Sequence, residues 1–417
     1  MVLIRLQMSE DRNREAVEKS KSMSKSRTLF AMLCPVFSQV AIVALLFLLW
    51  CGPVAGEELL VPDDYFTIGE ALEMAQEGDV VIVYPGVYPE RISMKEGVEL
   101  VSYAGEDGDD LVNGPGEKKV LRRALRTIID GAEIEEPGYL MSFPQDTDAP
   151  MRVDGFTFRT MPKYDSSTHL FLMEIRGCSP VVENNILHGN KSWGAILSTG
   201  LGVGMGPALE TMAMPVIRNN VIYDNFAVGI GNGGNSAAQI LDNEIFDTTY
   251  RDASGGDRVA PAIGVREGAR PHIEGNICYG NGSGIGAINF DTADRPLVIR
   301  NNTLYRNRSA GIGLRGIGSG TADLKVIIDH NTIYGNLAAG IRLTKINRVE
   351  LRENDIHGNR RAGISLWDVT HAIIENNRVY ANLATGIRLL DVTGALVRRN
   401  LIYRNVTAGI DYIGWQR

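Results

Sequence analysis

Towards the end of the chain, apolar residues recur in short alternating runs at a fixed interval. The stretch "GIRLTKINRVELRENDIHGNRRA" (340–362) is followed directly by "GISLWDVTHAIIENNRVYANLAT" and "GIRLLDVTGALVRRNLIYRNVTA". In the first block Ile341 and Leu343, then Val349 and Leu351, then Ile356 alternate with polar residues. A period of two predicts three short strands divided by turns, and no part of this region carries a helical period. The second asparagine of each Asn-Asn-like pair gives anchors at Asn185, Asn220, Asn243, Asn276, Asn302, Asn331, Asn354, Asn377 and Asn400, with final steps of 23 residues and longer ones before. A fixed step with insertions marks a solenoid, whose repeats bury their apolar faces only against one another. Three strands per repeat, each paired with its equivalent one repeat away, predict an all-β chain: a single-stranded parallel β-helix of about a dozen coils.

Polar positions repeat in the same frame. Coils stack at a strand spacing of about 4.8 Å, so the anchor asparagines would hydrogen-bond in a ladder, as would a second column at Asn190, Asn225, Asn281, Asn307, Asn336, Asn359, Asn382 and Asn405. Gly194, Gly229, Gly311, Gly340, Gly363, Gly386 and Gly409 stand nine residues after their anchors, where a bend would favour a residue without Cβ. Two residues before the anchors lie Glu183, Arg218, Leu241, Glu274, Arg300, Asp329, Arg352, Glu375 and Arg398, an outward column that would pair opposite charges on neighbouring coils. Three residues after the anchors lie His188, Tyr223, Phe246, Tyr279, Tyr305, Tyr334, His357, Tyr380 and Tyr403. Ring-on-ring stacking accounts for that column, with a sugar-binding platform as the alternative.

The ends depart from the repeat. Residues 57–130 read as an N-terminal cap and the first coils, residues 131–417 as the repeat array. Thr67 and Glu70 form a capping box for a short helix over the open N-terminal edge, and strands begin at 79–84. Residues 1–56 read as an export signal or signal anchor: Lys19, Lys21, Lys25 and Arg27 precede an apolar run from Val40 to Trp50, then Val54-Ala55-Gly56. The expected location is therefore periplasmic or extracellular, with membrane attachment only if that segment stays uncleaved. No cap is visible after Gly409-Ile410, so a partner, a second copy or Trp415 would cover that edge.

Composition adds a polarity. The 417 residues hold 46 glycines and only 7% aromatics, which suits repetition better than a compact α/β enzyme. Residues 295–417 carry 18 Lys and Arg against 9 Asp and Glu, whereas residues 57–294 carry 17 against 37. That asymmetry points to a polar partner or a bound cation more than to a fold, and no nucleic-acid partner is expected. Outside the first 56 residues the cysteines are Cys178 and Cys278, whose anchors lie three coils apart, so two free thiols are expected.

Taken together, the Asn ladders, the 23-residue step and Gly86-Val87-Tyr88-Pro89-Glu90 in the first coil resemble the right-handed parallel β-helix proteins of the pectin-lyase-like superfamily. The pattern is closest to NosD-like and β-helix-repeat secreted proteins. The resemblance implies the fold and its hand but no single activity, since the superfamily spans lyases, hydrolases, esterases, epimerases and non-enzymes. The catalytic stretches of pectin methylesterases, alginate epimerases and polygalacturonases have no equivalents, so no family catalytic residue is carried over. NosD-like proteins are associated with periplasmic copper-site maturation, and Met205, Met212 and Met214 are thioethers suited to Cu(I).

Chemistry is expected where the repeat is bare. Gly231, Gly264, Gly286 and Gly313 fall at an outward position that becomes Arg342, Ser365, Arg388 and Asp411 in later coils, and insertions at 197–214, 247–260 and 316–324 flank it. A floor without side chains between raised walls is a substrate groove. Its candidates are Asp257, Arg258, Arg266, Glu267, Asp291, Asp294, Arg315, Arg342 and Lys345, with Arg388 beyond. On a uronate polymer a lyase or epimerase would need a base for the proton beside the carboxylate, which Arg315, Arg342 and Lys345 would neutralise, whereas a hydrolase would need two facing carboxylates, for which Asp291 and Asp294 are the close pair. Asp257, Glu267 and Asp291 are the candidate oxygen ligands for Ca²⁺. The expectation is an exported protein that binds an acidic polysaccharide and either cleaves it, epimerises it or does neither. The alternatives are a structural envelope protein and a copper-maturation protein.

Overall fold

In the computed structural model, the described residues are 56–414 except 107–108, 162–169, 201–211, 249, 252–256, 259, 291–294 and 317–324. Residues 1–55, which hold the run read as an export signal, lie outside them, as do Met205 and Trp415. Among the described residues, no helix is long and apolar enough to cross a membrane.

Period-two alternation becomes three parallel sheets running the length of the array. Sheet A has 13 strands, from Glu58–Val61 to Leu396–Arg398; sheets B and C have 12 each, ending at Leu401–Tyr403 and Ile410–Ile413. Each strand pairs in register with its equivalent one coil away, as Ile333 does with Ile356 and that with Val379. Inward residues of all three sheets form one continuous core. The predicted helix is Ile68–Met74; Thr67 accepts from the Glu70 amide, Glu70 reaches back to the Thr67 amide, and Ile68, Ala71 and Leu72 are buried against the first coil. Strands begin earlier than predicted, because Glu58–Val61 already lies parallel to Val80–Val83 on the other side of that helix.

Both asparagine columns are inside. Asn354 is typical: its Nδ2 donates to Ile328 O at 2.9 Å and to Asn377 Oδ1 at 2.9 Å, while its own Oδ1 accepts the Asn331 amide at 3.0 Å and Asn331 Nδ2 at 3.0 Å. Each side chain thus satisfies the turn of the previous coil as well as its neighbour in the ladder. In the second column Thr248 fills the position that lacks an asparagine and donates to Asn281 Oδ1 at 2.8 Å. The residue before each anchor is left-handed, with φ of 56° at Asn184, 55° at Asn219 and 58° at Asn376, so it is this residue that turns the chain.

The glycines nine residues after the anchors stand at bends, as expected, from Gly229 to Gly409, and none has positive φ; a Cβ on Gly340 would lie 2.5 Å from Ile356 Cγ2 and 2.8 Å from Gly363 O. Close approach of the next coil requires them. In addition, Ile196 pairs with Ile230, which sets Gly194 beside Val228 rather than Gly229, because the Asn185 coil takes one residue more to reach its sheet C strand. The charged column pairs across coils as expected: Glu183 binds Arg152 at 2.7 Å and Arg218 at 2.6 Å, and Glu375 binds Arg352 at 2.5 Å and Arg398 at 2.9 Å. Glu183 and Glu375 are nevertheless buried beneath their arginines rather than turned outward to solvent. Cys178 and Cys278 are both free and buried, and burial raises the Cys178 thiol to about 11.

Candidate functional site: a glycine-floored groove on sheet C

Sheet B carries the aromatic column on its outer face. From His188 to Tyr403 the rings lie 4.6 to 5.2 Å apart and within 17° of parallel. An antiparallel hairpin, Leu111–Asn113 with Lys119–Leu121, packs on part of this face through Val120 and Ala124 against Ile186, Val221 and Phe246. Its tip is clamped by the fully buried Glu244, whose carboxylate accepts the Glu117 amide at 2.6 Å, the Lys118 amide at 2.8 Å and the Tyr279 hydroxyl at 2.9 Å. Tyr305 donates to Glu117 at 2.6 Å. Burial, then the bond to Glu244, pushes the Tyr279 hydroxyl far above its ordinary value. Rings that stack on one another beneath a hairpin do not form a sugar platform there.

Sheet C is the reverse. Its strands Ile230–Gly233, Pro261–Arg266, Ser283–Phe290, Ile312–Gly316 and Ile341–Ile346 point Ile230, Ile263, Ile285, Ile312 and Ile341 into the core. Their outward partners run Leu197, Gly231, Gly264, Gly286, Gly313, Arg342 in register. The result is a groove of about 770 Å³. Four glycines in successive coils make its floor, about 14 Å long at three strand spacings. A Cβ on Gly286 would come within 3.0 Å of the Pro261 ring, whereas one on Gly313 would meet only Ala310, at 3.7 Å. Phe171, Trp193, Val228 and Pro261 line the groove from the starts of the strands, and Arg266, Glu267, Ile288, Arg315 and Thr344 from their ends.

The candidates named from sequence separate into three groups. Gly231, Gly264, Gly286, Gly313, Arg266, Glu267, Arg315 and Arg342 line this one groove, and all three arginines and Glu267 are exposed. Lys345 and Arg388 are not in the lining. Lys345 follows Thr344 with φ of 56°, and Arg388 stands two coils past Arg342 with its Nε 3.8 Å from Asp411. Asp291 and Asp294 lie outside the described residues; Asp257 and Arg258 sit in a short antiparallel pairing with Tyr250–Arg251 whose side chains are likewise not described. Among the described residues no cluster of three His, Cys, Asp or Glu is placed to hold a metal ion.

The apolar wall was not anticipated. Phe171, Gly194, Val228, Pro261, Ser283 and Ala310 share one register column that is Ala339 and Ala362 in later coils. The bulkier Val228 and Pro261 were the available signal. Two acceptors on the groove lining, Thr199 Oγ1 and the Oδ1 of the buried Asn232, have no hydrogen-bond partner among the described residues. The site thus presents guanidinium groups for anions and an apolar wall, with these two acceptors buried beneath its surface.

The family model described as a right-handed β-helix region matches residues 175–319 and 261–417, together more than half of the chain. The chain belongs to this right-handed β-helix family. A comparison with curated proteins finds no match. Among solved structures, this β-helix is similar to a mutant of the periplasmic alginate epimerase AlgG, with a TM-score of 0.51 and 14% identity over 78% of this chain and 77% of that one. It is also similar to the GH136 lacto-N-biosidase from Eubacterium ramulus, with a TM-score of 0.50 and 12% identity over 82% and 64% of the two chains. The A-module of the Azotobacter vinelandii mannuronan C-5 epimerase AlgE6 gives a TM-score of 0.48 at 14% identity over 84% and 94%. At such identities the likeness is one of fold.

Proposed function

We propose that this β-helix is an exported protein that binds an acidic polysaccharide lengthwise along sheet C. The observation that carries the reading is the glycine floor bordered by Arg266, Arg315 and Arg342, with Glu267 the acid among the described lining residues. A repeating floor suits a repeating polymer, and guanidinium groups hold carboxylates by paired, charge-assisted hydrogen bonds. The names of the fold neighbours, an alginate epimerase and a lacto-N-biosidase, are those of enzymes acting on glycans. The apolar run behind Lys19, Lys21, Lys25 and Arg27 supports export.

Catalysis on the bound uronate is the second part of the reading. A carboxylate from Asp291 or Asp294, which follow the strand Ser283–Phe290, would remove the proton beside the sugar carboxylate, while Arg315 and Arg342 held the charge that develops. Breaking the neighbouring C–O bond then gives elimination, and returning a proton to the opposite face gives epimerisation. Ca²⁺ held by Asp257 and Glu267 would assist by binding the same carboxylate.

Titration of the purified chain with alginate, polygalacturonate and a neutral glucan tests the binding. Both polyuronates should bind at low salt and weaken as salt rises, the glucan should not bind, and Arg315→Ala with Arg342→Ala should abolish the difference. Equal binding of all three polymers, or of none, overturns the proposal. Product analysis for unsaturated ends and for altered uronate stereochemistry, with and without Ca²⁺, decides between elimination, epimerisation and binding alone.

A further inference from the structure

Sheet C does not end with the groove. In the next coil Ser365 pairs with Arg342 on one side and with Arg388 on the other, and Trp367 pairs with Thr344, a lining residue of the groove. Two residues apart on one strand, Ser365 and Trp367 face the same way. The Trp367 ring is 46% exposed on a strand whose Ile364, Leu366 and Val369 are buried. Trp193 lines the groove near its opposite end, so the same track runs from one tryptophan to another across six coil steps, about 29 Å.

The local chemistry is specific. At Ser365 the outward column dips to a short side chain between two arginines, which stand one coil to each side, about 10 Å apart. Arg388 is only loosely engaged, its Nε being 3.8 Å from Asp411. An indole face carries negative charge density, which attracts the weakly positive C–H bonds of a sugar's apolar face, and a uronate presents a carboxylate at the rim of the same ring. Trp367, Ser365, Arg342 and Arg388 therefore make a slot with an aromatic side and a cation at each end.

We infer that Trp367 is the platform of a further subsite, which takes one uronate ring of a polymer already lying in the glycine-floored groove and extends the bound length beyond Arg342. This rests on the reading of sheet C as a polyuronate site. The subsite makes affinity depend on chain length, because a trimer fits on the glycine floor without reaching the indole while a long chain covers both.

Binding of alginate trimers and of alginate polymer, measured for the parent, Trp367→Ala and Trp367→Phe, tests this. Trp367→Ala should weaken polymer binding about tenfold and trimer binding little, with Trp367→Phe recovering most of the loss. Thermal unfolding of both variants should match the parent, since the ring is exposed. Unchanged polymer binding in Trp367→Ala overturns the inference, and so does an equal loss for trimer and polymer, which would place the indole in the primary site. If the parent binds neither ligand, the polysaccharide reading itself falls and this one with it; if the parent binds and only the variants are indistinguishable from it, the subsite alone falls.

Discussion

Sheets B and C are wound from the same coils and have the same kind of inner face, yet their outer faces are opposites. On sheet B every coil from His188 to Tyr403 places a ring on its neighbours' rings, and a hairpin held by Glu244 lies over some of them. On sheet C four coils place a glycine at the equivalent outward position, and arginines stand along the border. The coil fixes its inward residues and its turns and leaves the outward ones free. One face has used that freedom to stabilise the rod, and the other leaves an open glycine-floored groove. Changes on sheet B should therefore move stability without binding, and changes on sheet C binding without stability.

The largest effect is expected on the frame both faces share. Asn354→Leu removes the acceptor of the Asn331 amide and the donor to Ile328 O, both buried, at about 1–3 kcal/mol for each group left unpaired. Arg342→Leu, exposed on sheet C, should cost less than about 0.5 kcal/mol. Equal losses of thermal stability in the two variants would mean that coil and face are not separable.

Tyr279→Leu sharpens the contrast from the sheet B side. It removes stacking on Phe246 and Tyr305, worth about 0.5–1.5 kcal/mol per pair, and a hydrogen bond to the buried Glu244 carboxylate. The unfolding temperature should fall clearly while polyuronate affinity stays at the parent's value. A loss of affinity would show that sheet B takes part in binding after all.

Gly313→Phe makes the converse test on sheet C. Because a Cβ there meets only Ala310, at 3.7 Å, the ring should be accommodated by the fold and stand in the groove. Affinity for a polyuronate should drop about tenfold or more, equivalent to about 1.4 kcal/mol, with the unfolding temperature nearly unchanged. Unaltered affinity would move the ligand off the glycine floor.

How much of this was legible follows from the same division. A 23-residue step fixes strands, ladders and outward columns because every coil repeats them, so one block read from Gly340 predicts its neighbours. The glycine floor was legible too, as an absence within a repeating position. Phe171, Trp193 and Pro261 were not, because each occurs once and its neighbours across coils are set by register, which slips by a residue at Ile196. Trp367 was equally hidden: only the pairing with Thr344 joins it to the groove. The burial of Glu183 and Glu375 escaped notice because alternating charge reads as a solvated surface, whereas each carboxylate here is covered by the arginines it binds.

Those covered carboxylates give the smallest expected effect, a pH dependence that belongs to the frame and to neither face's ligand. Burial alone would raise the Glu183 carboxyl, but hydrogen bonds from Arg218 and Arg152 and their charges outweigh it and hold it below the ordinary range. Glu375 is lowered chiefly by its hydrogen bond to Arg398, and Glu274 by His272 and Asn301. A carboxylate lowered in the folded state lends stability that is complete above its unfolded value, about 4.3, and is lost as pH falls through the folded one. His188 acts earlier. Burial, then the Arg159 charge, lowers its imidazole, so the unfolded chain takes up the proton first and stability begins to decline below about 6.5. Unfolding temperature should thus fall gently below that value and more steeply below about 4.3. Glu183→Gln should flatten the second fall and leave the first, while His188→Phe should do the opposite. A single fall that neither variant alters would assign acid sensitivity elsewhere than to the column of alternating charge.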